Sequence, residues 1–234
     1  MIFSGRVVLV TGASRGIGRA AALGLARAGA HVVALARDVG DLEALDDEIQ
    51  NAGGAATLVP LDLTDFAGLD RMGASLKQRW GRLDGLFGNG GILGSLTPLT
   101  HLGPRDWDEI MAINLTANWR LLRALDPLLR QSDAGRVLMT SSAAAHYNRP
   151  YWGAYAVSKA ALEALTFTYA AECNGTNVRA NALNPGPTRT RMRAQAMPGE
   201  DPMTLPAPEE LAPLILELLS PACTKTGELV PFRK

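Results

Sequence analysis

The sequence lacks the raw material for several common kinds of protein. It holds only two cysteines, Cys173 and Cys223, fifty positions apart, with no C-x-x-C spacing and no cluster of metal ligands around them. That excludes a disulfide framework, and no metal site is expected. Neither sign of charge dominates: 23 Lys and Arg stand against 23 Asp and Glu. The basic excess of a nucleic-acid binder is therefore missing. No apolar run is long. The first, Val-Val-Leu-Val at 7–10, is too short for a signal-peptide core or a membrane span, and no later one is long enough. There is no repeat, low-complexity tract or linker. These absences leave a soluble protein, expected in the cytoplasm, with neither nucleic acid nor membrane as partner. At 234 residues the chain suits one domain over 1–234, which can bury about 70% of its unfolded surface without a staple.

What is present is an alternation of two periodicities. Short β-branched runs at 7–10, 31–36, 56–60, 83–87, 136–140 and 177–183 read as strands. Segments of helical period at 16–28, 42–51, 66–80, 105–129, 152–173 and 208–220 lie between and after them. In the first helix Ile17, Ala20, Ala21, Gly24, Leu25 and Ala28 form one small apolar face that allows close packing on a sheet. Strand–helix alternation with short connections implies βαβ units, a parallel sheet covered on both faces, and an α/β class. Right-handed crossovers favour a doubly wound sheet, with a ligand crevice beyond the strands' carboxyl ends. The segment 189–208, rich in Pro, Met and charge, reads as a mobile flap over a substrate.

The first strand runs into Thr11-Gly12-Ala13-Ser14-Arg15-Gly16-Ile17-Gly18 and then a helix. Glycines permit positive φ and close backbone approach to a ligand, and the helix aims unpaired N–H groups and its positive dipole end at the same place. Strand before and helix after are the context in which a glycine triplet marks a dinucleotide pyrophosphate site. Further along, Tyr155 and Lys159 lie four apart, on one face of a helix.

The T-G-x-x-x-G-x-G spacing resembles the short-chain dehydrogenase/reductase family. The resemblance continues through Asp62, Asn89-Gly90-Gly91, Asn114, Ser142, Tyr155-x-x-x-Lys159 and Pro185-Gly186, and so covers nearly the whole chain. Within the family the chain is similar to a little-characterised bacterial branch, through Asp84-Gly85-Leu86, Ser132-Asp133-Ala134-Gly135, Trp152-Gly153-Ala154-Tyr155 and Pro185-Gly186-Pro187-Thr188-Arg189-Thr190. The resemblance implies a single-domain Rossmann fold with a doubly wound, mostly parallel seven-stranded sheet and helices on both faces. It implies an oxidoreductase that moves hydride between nicotinamide C4 and a carbonyl or secondary alcohol.

For the cofactor, the resemblance places Gly12, Ser14, Arg15, Gly16, Ile17 and Gly18 at the pyrophosphate. NAD-binding members of the family carry a carboxylate at the position of Ala36, where it would repel a 2′-phosphate. With Arg37 following and Arg15 in the glycine loop, the pattern resembles the one that prefers NADP(H) over NAD(H), since guanidinium groups grip phosphate through charge-assisted bonds. Asp38 would oppose the phosphate if it turned inward. Asp62 matches the family's adenine contact, with the Leu63 backbone beside it; alternatively Asp62 caps the helix that begins near Asp65. Asn89, Gly90 and Gly91 fall under the adenosine ribose, where Gly88 and Gly90 depart from the family pattern and suggest a more flexible turn. Pro185, Gly186, Thr188 and Thr190 would brace the carboxamide face.

The resemblance assigns the chemistry to Asn114, Ser142, Tyr155 and Lys159. Tyr155 would exchange a proton with the carbonyl oxygen, its acidity raised by the Lys159 ammonium and the nicotinamide ring, and Lys159 would also hold the nicotinamide ribose. Ser142, thirteen residues before Tyr155, would bind the carbonyl oxygen; Ser141 is spaced one residue too far. Asn114 falls mid-helix, where asparagine has poor propensity. It marks either a kink holding a water that relays protons from Lys159, or a buried amide satisfied by backbone.

His146 either lines the pocket or is a surface loop histidine, while His31 and His101 have no chemistry near them. Tyr151 and Trp152 form an apolar wall of the substrate site or simply pack. Arg189, Arg191 and Arg193 either meet an anionic substrate or are solvated. The tail Thr226-Gly227-Glu228-Leu229-Val230-Pro231 resembles the family's last strand without its Asp-Gly-Gly ending. A homo-oligomer is expected, dimer or tetramer. The competing reading is a dinucleotide-binding sensor or scaffold that no longer turns over.

Overall fold

Alternation in the first strand decides the layering. In β1 (Val7–Thr11) successive side chains point to opposite faces. Val7 and Leu9 join one buried cluster, with Leu69, Leu121 and Leu162, while Val8 and Val10 join another, with Ala21, Leu45 and Ile215. Helices therefore cover the sheet on both sides, and the strands read as continuous apolar runs because neither face meets water. The computed structural model describes residues 1–233; Lys234, the last residue of the expected domain, lies outside them.

Along the chain come α1 (Gly16–Arg27), β2 (His31–Ala36), α2 (Val39–Asn51), β3 (Ala55–Pro60), α3 (Phe66–Trp80) and β4 (Gly85–Gly88). There follow α4 (Pro104–Met111), α5 (Ala117–Leu129), β5 (Arg136–Thr140), α6 (Gly153–Glu172), β6 (Arg179–Asn184), α7 (Arg191–Ala196), α8 (Ala212–Leu219) and β7 (Leu229–Pro231). The sheet has seven strands in the order β3-β2-β1-β4-β5-β6-β7, and every pairing is parallel. The order reverses between β1 and β4, so the crevice opens beyond Thr11 and Gly88. The doubly wound single domain is what the alternation predicts, with the sheet wholly parallel.

The small face of α1 serves a helix as well as the sheet. A Cβ on Gly24 would lie 3.2 Å from Leu216 of α8. The expected helix 105–129 is three pieces, because residues Ala112–Thr116 between α4 and α5 form a π-helical turn. β6 starts two residues later than the β-branched pattern suggests, since the Thr176 hydroxyl accepts from Val178 N at 3.2 Å and holds a turn there. The segment 189–208 is not structureless. It carries α7 and a short 3-10 turn, and Arg193 pairs with Glu200 through bonds of 2.5 and 2.6 Å. Among the described residues no helix is long and apolar enough to cross a membrane, and no metal-ligand cluster occurs.

Candidate active site

One cleft gathers most of the residues singled out above. Its floor is the turn after β1, where Gly12 and Gly16 adopt φ of +63° and +56°. These are left-handed conformations that any side chain would strain. A Cβ on Gly12 would stand 2.9 Å from Gly90 Cα, and one on Gly18 would strike the Gly12 carbonyl. Gly18 thus lies beneath the turn, outside the cleft wall, and shapes the loop from behind. Ser14, Arg15, Gly16 and Ile17 face the cleft. No side chain caps α1, so its first-turn N–H groups are available to an anion.

Thr11 ties this turn to the next strand. Its hydroxyl accepts from Asn89 N at 3.0 Å and Gly90 N at 2.9 Å, while Asn89 Nδ2 donates to Thr11 O at 3.2 Å. The flexible turn expected at Gly88 and Gly90 is instead tightly packed. A Cβ on Gly88 would collide with Met139 and approach Asn118 Oδ1 to 2.7 Å, and one on Gly90 would come within 2.6 Å of Leu63. Glycine is required there by crowding. Gly91 completes the cleft wall.

At the end of β2 the cleft is lined by Ala36 and Arg37, faced by Asp62 and Leu63 after β3. Asp38 turns onto its own helix, where it accepts from Asp41 N at 2.9 Å as the cap of α2, so its charge is directed away from this site. The cap of α3 is Asp65, accepting from Gly68 N. Asp62 instead accepts from Thr64 N and Oγ1 at 2.7 Å and pairs with Arg37 Nη1 at 3.6 Å. Burial pushes its carboxyl up, but the Thr64 bonds and the Arg37 charge outweigh that and hold it below the ordinary range. Arg15 is exposed on the same cleft.

The far end is built where β5 meets α6. Ser142 caps a 3-10 turn at Ala143–Ala145, its oxygen accepting from Ala144 N at 3.2 Å, which leaves its proton to donate. Tyr155 faces it from α6 and is buried. Burial raises the Tyr155 pKa and the Ser142 hydrogen bond pulls against it, with a net rise. Burial and the Ser142 bond set this direction, and the lowering expected from Lys159 is not among its causes. Lys159 is itself pushed down by burial to about 8, and its Nζ donates to Thr140 O at 2.7 Å.

Asn114 lies in the π-helical turn and is fully buried, outside the cleft wall. Its Oδ1 accepts from Ile92 N at 2.9 Å, and its Nδ2 donates to Ile92 O at 2.9 Å and Ser158 Oγ at 3.0 Å. Its own carbonyl accepts from Asn118 Nδ2 at 2.9 Å. The kink is present, and so is the amide satisfied by its surroundings; Asn114 ties the loop after β4 to α6.

After β6, Pro185, Gly186, Thr188 and Thr190 close the side of the cleft. Gly186 takes φ +65° and its N–H reaches Asn184 Oδ1 at 3.1 Å, and Thr190 caps α7. Beside Tyr155 is an apolar compartment of Leu93, Leu96, Ala144, Trp152, Met192 and Ala196. Trp152 meets the Tyr155 ring edge-on at 6.0 Å, and the Tyr155 hydroxyl lies 3.9 Å from Met192 Sδ. Tyr151 is exposed, with φ +73°. Sequence reasoning missed Leu93, Met192 and the Thr140 carbonyl; only the fold brings them to Tyr155 and Lys159, and no local pattern marks them.

The short chain dehydrogenase family model matches residues 6–201. The uncharacterized oxidoreductase YciK of Escherichia coli K12 is 39% identical over 221 residues, 93% of this chain and 87% of its own. A solved short chain dehydrogenase from Pseudomonas syringae superposes with a TM-score of 0.95 at 43% identity, covering 98% of this chain and 95% of the other. Another, from Shigella flexneri 2a and complexed with NADP, superposes with a TM-score of 0.94 at 39% identity, covering 98% of each chain.

Proposed function

The chain belongs to the short chain dehydrogenase family of oxidoreductases, in a poorly characterised bacterial branch, and from that premise we propose that it reduces the carbonyl of a small, largely apolar compound with NADPH. The observation that carries this reading is the meeting of Tyr155, Ser142 and Lys159 in the same cleft as an uncapped α1 and the glycine turn. The residues present fit a dinucleotide: N–H groups and glycines for the pyrophosphate, Asp62 for the adenine, and Lys159 with Thr188 and Thr190 at the nicotinamide end. Ala36 with Arg15 and Arg37 suits a 2′-phosphate, and the NADP carried by the Shigella relative supports that choice.

When bound, NADPH supplies the hydride. Tyr155, protonated at neutral pH and pushed further up by burial, gives its proton to the carbonyl oxygen. Ser142 donates its remaining hydrogen bond to that same oxygen and stabilises the charge that develops there. Lys159 spends one of its three donors on Thr140 O, leaving two for a ribose, and below about pH 8 its ammonium stabilises the phenolate left on Tyr155. Asn114 acts by position, holding Ile92 and Ser158. The compartment around Trp152 and Met192 accepts the apolar body of the substrate, with the segment 189–208 as its movable cover. Trp119 on α5 and Val157 on α6 are exposed apolar residues on which copies of the chain would associate.

The test is NADPH consumption across aldehydes, ketones and quinones, run beside Tyr155→Phe. Turnover by the wild type and loss of it in the variant are expected. Equal rates in both would sink the mechanism, and NADPH binding without any turnover would favour a sensor or scaffold.

A further inference from the structure

The carboxylate of Glu163 is buried, its side chain 7% exposed, and it does not line the cleft. It accepts a short hydrogen bond from the Ser141 hydroxyl, and His146 Nε2 lies 3.2 Å from Oε1 and 3.0 Å from Oε2. Ser141 precedes Ser142; His146 follows the 3-10 turn that Ser142 begins. We propose that Glu163 is a positioning residue which clamps both flanks of Ser142 to α6 and so sets the place of the Ser142 hydroxyl. This rests on the role assigned to Ser142 above.

Three observations carry it. First, Tyr155, Lys159 and Glu163 stand at four-residue steps on α6, and each grips the end of β5 or the residue beyond. Tyr155 meets Ser142, Lys159 meets the Thr140 carbonyl, and Glu163 meets Ser141. The helix holds three consecutive residues from one stripe. Second, the turn between the two pins is tight: Ser142 Oγ accepts from Ala144 N, and His146 N and Tyr147 N both reach Ala143 O at 3.1 Å. A turn this short moves as one piece, so holding Ser141 and His146 holds Ser142. Third, packing alone does not call for an acid at this position. A buried carboxylate must be compensated by its hydrogen bonds, whereas an apolar side chain beside Leu162 would fill the space without that cost.

His146, half exposed with a side chain at 49%, caps the clamp on the solvent side. Ser141 is closed off, at 1%. Reacting groups lose on the order of 100-fold in rate when displaced by about 1 Å, which sets the scale of the expected effect.

The test combines hydrogen exchange with a double-mutant cycle. In Glu163→Ala, backbone amides of 141–147 are expected to exchange faster, and kcat to fall about 10- to 100-fold. The NADPH Kd should stay within about twofold, because Glu163 does not line the cleft. Glu163→Gln, which can still accept from Ser141, is expected to recover exchange protection and kcat to within about threefold of the wild type. In a Ser142→Ala background, Glu163→Ala is expected to cost less than about twofold more, since residues acting as a unit are non-additive. Unchanged exchange in Glu163→Ala, or an undiminished loss of kcat in the Ser142→Ala background, overturns the clamp. If Glu163→Ala does not fold, His146→Ala removes the outer pin at an exposed site; it should quicken exchange at 143–147 and lower kcat several-fold, and wild-type behaviour overturns the proposal. Full turnover by Ser142→Ala would overturn the role of the serine and with it this use of the clamp. The exchange data, which need no substrate, separate that failure from failure of the contact itself.

Discussion

The ammonium nitrogen of Lys159 lies 2.7 Å from the main-chain oxygen of Thr140, and both residues are buried. Removal from water lowers the lysine from its ordinary 10.5 to about 8. Reduction should therefore decline as pH rises through about 8, because the cation beside Tyr155 is lost. A kcat/KM profile for carbonyl reduction that stays flat to pH 10 would contradict this. Stability moves the other way. The unfolded chain holds the lysine proton more tightly than the folded one, so the folded state gains about 3 kcal/mol between pH 8 and 10.5. Lys159→Met should abolish reduction and yet stabilise the protein at pH 7 by about 1–2 kcal/mol, after allowance for the lost Thr140 bond. Urea titrations of both proteins at pH 7 and 10 would read the gain and the loss of the pH slope.

On the proposed mechanism, Ser142→Ala removes the donor to the carbonyl oxygen and spares the groups expected to hold the dinucleotide. A fall in kcat of about 100-fold is expected, with the NADPH Kd unchanged. Steady-state kinetics and a fluorescence titration of NADPH separate the two. A change confined to binding would place the serine elsewhere in the mechanism.

Arg37 lines the cleft beside Ala36 and pairs with Asp62 at 3.6 Å, and on the proposed reading it meets the 2′-phosphate of the dinucleotide. Arg37→Ala should weaken NADPH binding about 10-fold or more and leave NADH nearly unaffected, since charge-assisted bonds contribute about 1.5–3 kcal/mol. Ala36→Asp should invert the preference. Calorimetric titration of both nucleotides against each variant decides the matter, and equal losses for the two would remove the physical basis of NADP selection.

Gly18 packs beneath the glycine turn, with Asn89 Nδ2 2.7 Å from where its Cβ would be. Gly18→Ala has to displace the Gly12 carbonyl or that amide. A loss of about 3 kcal/mol in stability is expected, together with weaker binding of both nucleotides. Thermal melting with and without NADPH is the check.

Legibility divided along the range of the interactions. The glycine turn is local: β1 ends at Thr11, the glycines follow at 12, 16 and 18, and α1 starts at Gly16, so spacing alone points to it. Tyr155 and Lys159 are legible for the same reason, one turn apart on one helix. Glu163 continues that four-residue spacing and was readable as a third member of the stripe, but nothing local says what it would meet. Asn114 showed two faces in sequence, and the structure has both the kink and the satisfied amide, through partners Ile92 and Ser158 that lie 22 and 44 residues away.

By itself the sequence determined the parallel α/β sheet, the glycine turn between the first strand and helix, and the placing of Tyr155 and Lys159 on one helix, because periodicity and short-range stereochemistry act within a few residues. Only the tertiary structure decided that Tyr155 and Lys159 are shifted by burial in opposite directions, that Gly88 and Gly90 are forced by crowding, and that Ser141 and His146 close on Glu163. Desolvation and close packing belong to a place in three dimensions, and residues remote in the chain create that place together.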